Sequence, residues 1–121
     1  LRQKAQRRGN VEFISHITQE EVFKHMMEAK VNVLTSWIET PGLVSLEAGY
    51  AGCNIVVTDK GSVRDYFKDF AFYCMPDDVQ SIKEQTVKAM ESEFDEGFRS
   101  LIKSDFDWSN TAQQTLEAYQ K

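Results

Sequence analysis

Val31-Asn32-Val33-Leu34-Thr35-Ser36-Trp37-Ile38-Glu39-Thr40-Pro41-Gly42-Leu43-Val44-Ser45-Leu46-Glu47-Ala48-Gly49-Tyr50-Ala51-Gly52-Cys53-Asn54-Ile55-Val56-Val57-Thr58 is the stretch on which the fold turns. It reads as strand, loop, helix, strand. Val31 to Leu34 is a short β-type run, and Pro41-Gly42 opens a helix from about Leu43 to Ala51 that Gly52 stops. Proline suits a helix start because its missing N–H would be unpaired there anyway, and glycine suits the position just past the end. Asn54 to Thr58 is a near-continuous Ile-Val-Val run, the pattern of a strand buried on both faces of a parallel sheet.

The same alternation extends in both directions. Upstream, Val11 to Ile14 is a β-type run, and Thr18 with Glu21 three positions on makes a capping box for a helix reaching about Ala29. Val22, Phe23, Met26 and Met27 recur at helical spacing, so the methionines are packing material. Downstream, the turn Asp59-Lys60-Gly61-Ser62 leads to a short helix through Tyr66 and a fourth strand at Phe72 to Cys74. Pro76-Asp77-Asp78 then caps a helix from Val79 to about Ser92, and helical segments follow near Phe94 to Lys103 and Ser109 to Gln120. Leu1 to Arg8 reads as the end of a helix whose own strand lies upstream. The expected class is α/β, a doubly wound parallel sheet of four strands joined by right-handed crossovers.

A chain of 121 residues predicts one domain over residues 1–121 with one core. Apolar residues make up 41% and charged residues 27%, which separates it from disordered chains. Fourteen basic against nineteen acidic residues give a net charge of −5, which argues against nucleic acid or an anionic membrane as partner. The basic cluster Arg2, Lys4, Arg7 and Arg8 reads as a solvated helix end. No apolar run approaches the roughly 20 residues of a membrane span, and no leader-like segment opens the chain. A cytoplasmic location is expected, with a peripheral place at the inner membrane face also open. Cys53 and Cys74 lack metal-ligand spacing and read as buried free thiols.

In open parallel sheets ligands bind beyond the carboxyl ends of the strands. Three loops qualify: Ser15-His16-Ile17, Thr35 to Gly42, and Thr58 to Ser62. In the second, Glu39 stands just before the helix and Glu47 on it, with seven residues between. The N–H groups of Gly42, Leu43 and Val44 are unpaired within a helix that starts there, and their partial positive charge favours phosphate. Carboxylates repel phosphate but accept hydrogen bonds from vicinal hydroxyls. The arrangement therefore reads as diphosphate at the helix tip with a sugar on either side. His16 can face such a ligand from the first loop, Lys60 reads as a solvated loop lysine, and Ser36 and Trp37 shape the second loop.

The stretch Ser36 to Gly52 resembles the E-x(7)-E signature of the family 4 retaining glycosyltransferases, also called glycosyl transferases group 1. Val11 to Ile14 with the Glu20-Glu21 helix resembles the unit before it, and Asn54 to Ser62 the strand and glycine-containing turn after it, so roughly Gly9 to Met90 is covered. The resemblance implies the Rossmann-like C-terminal lobe of a two-lobed GT-B enzyme, lacking its beginning and therefore inactive alone. It implies transfer of a sugar from a nucleotide diphosphate sugar to a hydroxyl acceptor, a glycan or lipid-linked sugar, with retention of configuration. By position, Glu39 matches the catalytic glutamate that contacts the transferred sugar, and Glu47 the one that holds the ribose diol. Gly42, Leu43 and Val44 match the residues whose amides meet the diphosphate. Thr40 and His16 join them in the donor site, and Ile17 falls where a backbone contact to the base is made. No metal and no cofactor beyond the donor are implied. Ser15 stands where the family commonly has glycine and Pro41 where it has an aromatic residue.

Two other classes are weighed beside the enzyme. One is a module that holds sugar nucleotide without catalysis. The other is a signalling receiver domain, which needs acidic residues clustered at strand ends, where this chain offers Ser15, Thr35 and Thr58-Asp59.

Overall fold

The computed structural model describes Gln3, Ala5, Arg7 and residues 9–40 and 42–120. In chain order come α1 (Gln19–Glu28), β1 (Val31–Leu34), α2 (Leu43–Ala51), β2 (Asn54–Thr58), α3 (Val63–Phe67), a 3-10 turn (Lys68–Phe70), β3 (Ala71–Cys74), α4 (Val79–Glu91), α5 (Glu96–Asp105) and α6 (Trp108–Tyr119). The strands form one parallel sheet in the order β1-β2-β3, with Val33 beside Val56 and Val56 beside Phe72.

The two faces of the sheet follow from the period of two along each strand. Ile55 and Val57 point into a core with Met26 of α1, Leu46 and Ala48 of α2, Val63 and Phe67 of α3, and Phe98 and Ile102 of α5. Val56 and Cys74 point the other way, onto Ala89 and Ile82 of α4. Helices thus cover both faces, as the unbroken apolar run of β2 requires, and all five β2 residues are buried.

Boundaries follow local chemistry. Thr18 caps α1, its hydroxyl accepting from the Glu21 N–H while the Glu21 carboxylate accepts from the Thr18 N–H at 2.8 Å. Asp78 caps α4 by accepting from the Gln80 and Ser81 N–H groups. Asn54, buried at the start of β2, donates to the carbonyls of Ala89 and Ser92 at 2.9 and 3.0 Å, closing the far end of α4. Cys53 and Cys74 are free and buried, and burial pushes both thiols up.

One expectation fails. Val11 to Ile14 is not assigned to a strand: its residues are exposed, and the sheet of the described residues has three strands, not four. β-type composition selects side chains that suit a pleated surface, but a strand also needs its backbone brought alongside another strand, and composition does not decide where the segment lies. The helical reading of the first residues holds at Gln3 and Ala5, where Arg7 donates to the Gln3 carbonyl. Leu1, Arg2, Lys4 and Arg8 lie outside the described residues, as does Pro41.

Candidate functional site

The carboxyl ends of β1 and β2 and the start of α2 meet at one edge of the sheet. α2 begins at Leu43 after Gly42, whose φ of 70° is a left-handed conformation that glycine adopts without a Cβ penalty. Lacking a side chain, Gly42 supplies no side-chain cap, and the first turn carries no acidic residue. The N–H groups of Ser45 and Leu46 go to the Gly42 carbonyl at 2.9 and 3.3 Å, while those of Gly42, Leu43 and Val44 meet no acceptor among the described residues. Leu43 and Val44 are exposed, so the tip opens to solvent. A helix start with unpaired N–H groups facing solvent favours an anion.

Glu39 lies beside that tip. A Cβ placed on Gly42 would sit 3.8 Å from Glu39 Oε2 and from Leu34 Cδ2, so the half-buried carboxylate and the glycine share one small space. Glu39 is anchored through its backbone, which forms an isolated parallel bridge with Gly61 in the loop after β2. Thr40, the next residue, is exposed.

Glu47 is exposed on α2, one turn and about 6 Å along the axis from Leu43. It stands between two open grooves. One, of about 360 Å³, runs to Gln19, Glu20, Val22 and Phe23 in the first turns of α1. The other, of about 450 Å³, is walled by Leu43, Leu46, Ile102, Phe106, Trp108 and Thr111. The first groove brings Glu47 to the segment that follows His16 and Ile17, both exposed just ahead of the Thr18 cap. The expected residues therefore fall into two groups: Glu39, Thr40, Gly42, Leu43 and Val44 at the tip, and Glu47 facing α1. His16 and Ile17 stand just ahead of α1, outside the lining of the groove that joins Glu47 to Gln19 and Glu20.

Sequence reading missed how the loop after β2 is held. The Asp59 carboxylate takes two bonds of 2.7 Å from the Arg64 guanidinium, which lies 4.1 Å over the Tyr73 ring. The Arg64 hydrogen bond holds the Asp59 carboxyl below its usual range. Burial pushes Tyr73 up to about 12, and its hydroxyl donates to the Lys68 carbonyl. The i, i+5 spacing of Asp59 and Arg64 was the available signal, but without the loop's conformation it is one charge pair among many. Lys60 is exposed in the same loop. Among the described residues no three His, Cys, Asp or Glu side chains gather in a way that could hold a metal, and no helix is long and apolar enough to cross a membrane.

A three-layer α/β arrangement, a parallel sheet with helices on both faces, defines a Rossmann-like domain. The chain belongs to the family described as glycosyl transferases group 1, whose model matches residues 1–114. It is similar to the glycogen synthases of two Mycobacterium tuberculosis strains, CDC 1551 / Oshkosh and ATCC 25618 / H37Rv. Each is 29% identical over 118 residues, covering 88% of this chain and 28% of the relative. Among solved structures it resembles sucrose-phosphate synthase from Thermosynechococcus elongatus, with a TM-score of 0.84 at 20% identity over 98% of this chain and 31% of that one. The chain thus spans under a third of the length of these proteins, and the structural likeness is one of fold.

Proposed function

We propose that this chain is the donor-binding lobe of a GT-B glycosyltransferase. The enzyme it serves moves a sugar from a nucleotide diphosphate donor to a hydroxyl acceptor, a glycan or lipid-linked sugar, with retention of configuration. The observation that carries the reading is the placement of the Glu39 carboxylate beside the open tip of α2, with Glu47 one turn beyond on the solvent side of the same helix.

In this reading the diphosphate sits at the tip, taking the N–H groups of Gly42, Leu43 and Val44. These dipoles are fixed before the reaction, so they stabilise charge building on the departing diphosphate without reorganising, and they serve in place of a divalent ion. Glu39, held by its backbone at the edge of that space, accepts hydrogen bonds from hydroxyls of the transferred sugar, with Thr40 at its side. Glu47 accepts from the ribose diol, and the groove toward α1 takes the base near Ile17 and His16. Charge-assisted bonds of this kind contribute roughly 1.5–3 kcal/mol each. Family membership and the fold of sucrose-phosphate synthase support the donor class. The acceptor and the second lobe are inferred from the resemblance in the motif region.

The test is titration of the chain, followed by NMR, with UDP, GDP, UDP-glucose and GDP-mannose. Binding should perturb the Gly42, Leu43 and Val44 amides. Glu47→Ala should weaken the nucleotide diphosphate itself about tenfold or more, whereas Glu39→Ala should remove only the advantage of the sugar-bearing ligand. Unchanged affinities in both variants, or perturbations away from the α2 tip, would sink the assignment.

A further inference from the structure

The loop after β2 is closer to Glu39 than any ordinary side chain would permit. A Cβ built on Gly61 would meet the Glu39 carbonyl oxygen at 2.8 Å and Ile38 Cγ2 at 3.4 Å, and Gly61 itself has a φ of 74°. Both the contact and the conformation demand glycine. The loop is tied down on both sides of Gly61. The Asp59 N–H donates to the Cys74 carbonyl at 2.8 Å, the Asp59 carboxylate grips Arg64 on α3, and the Arg64 guanidinium carbon lies 4.1 Å over the Tyr73 ring of β3. On the other side the Asp65 N–H closes onto the Ser62 carbonyl at 3.0 Å. The backbone of Gly61 is left as the surface against which Glu39 rests.

From this the geometry points to Gly61 as a positioning residue for the Glu39 carboxylate, held in place by the Asp59–Arg64–Tyr73 clamp. The inference rests on the proposed donor site in assigning Glu39 a sugar to hold, but the positioning itself is a property of the free chain. The Asp59–Arg64 ion pair lies at the surface, with the Arg64 side chain 59% accessible, so the pair itself contributes little to global stability. Its effect is geometric: a planar guanidinium held at two carboxylate oxygens and over one ring face restrains the loop between β2 and α3.

Two readouts test it, on the chain as it is. Without ligand, Gly61→Ala and Arg64→Gln should shift the backbone resonances of Glu39 and Gly42 while those of α4 stay in place. Arg64→Lys, which keeps the charge but loses the two-point grip, should fall between wild type and Arg64→Gln. With ligand, both variants should lose about tenfold in the preference for UDP-glucose over UDP, or for GDP-mannose over GDP, and keep affinity for the nucleotide diphosphate within about twofold. Arg64→Gln keeps the test sharp if Gly61→Ala fails to fold, because the substitution lies at the surface. Glu39 and Gly42 resonances unmoved in Arg64→Gln would overturn the inference, whether or not a nucleotide binds. Absence of sugar preference in the wild-type chain together with moved Glu39 resonances would instead overturn the donor-site reading and leave the positioning intact.

Discussion

Replacing Gly49 by alanine should destabilise the chain, against the usual direction for glycine in a helix. Gly49 lies within α2 on the side packed against α5, and a Cβ there would meet Phe98 Cε1 at 2.2 Å and Cζ at 2.9 Å. Carbon pairs rest no closer than about 3.5 Å, so helix and ring would have to part by about 1.3 Å. The ring cannot swing aside. Phe98 is 1% exposed, stacked on Phe70 at 5.3 Å between centroids and set edge-on to Phe67 at 6.1 Å. Overpacking of this kind costs about 1–3 kcal/mol, whereas alanine's better helix propensity returns about 0.5–1 kcal/mol. The expected net loss is about 1–2 kcal/mol, or a fall in Tm of roughly 3–8 °C for a domain of this size. Thermal unfolding followed by circular dichroism, with urea titration at 25 °C as a second measure, reads it directly. Adding Phe98→Leu should make room, so the double variant should be more stable than the sum of the singles. A Tm for Gly49→Ala at or above wild type would refute the claim that the α2–α5 approach is closed at this point.

Asn54→Ala removes both donors from the Ala89 and Ser92 carbonyls and should cost about 1–3 kcal/mol in urea unfolding with an unchanged slope. Thr18→Ala should cost about 1 kcal/mol through loss of the α1 cap. It should also raise the Glu21 carboxyl, now held low first by the Thr18 N–H and then by the Thr18 hydroxyl, which a side-chain NMR titration would register. Tyr73 should ionise near pH 12, well above an ordinary tyrosine, in an ultraviolet titration compared with Tyr73→Phe. Because its folded pKa is raised, its contribution to stability is complete below about pH 10 and is lost as pH climbs toward 12, where the unfolded chain releases the proton first.

How much was legible beforehand differs from element to element. Thr18 with Glu21, Asp78 ahead of Val79, and the span from Leu43 to Gly52 carry their own boundaries in short-range chemistry, and helices α1, α2 and α4 begin where those residues place them. The buried run of β2 likewise needs two covered faces wherever it lies, which is enough to select a parallel α/β sheet. Val11 to Ile14 shows the limit, since its composition suits a strand but pairing depends on an edge that local sequence does not describe.

For the candidate site, the order of residues from Glu39 to Glu47 determined that a helix start would have a carboxylate on each side, because helix caps and a rise of 1.5 Å per residue are local properties. Only tertiary structure decided that Glu39 rests on Gly61 across a gap of 22 positions, and that Glu47 faces α1. Contacts between segments far apart in the chain depend on how sheet and helices pack, and no single stretch encodes that. The Asp59–Arg64–Tyr73 clamp belongs to the same kind: three ordinary residues whose common purpose exists once β3 lies beside β2.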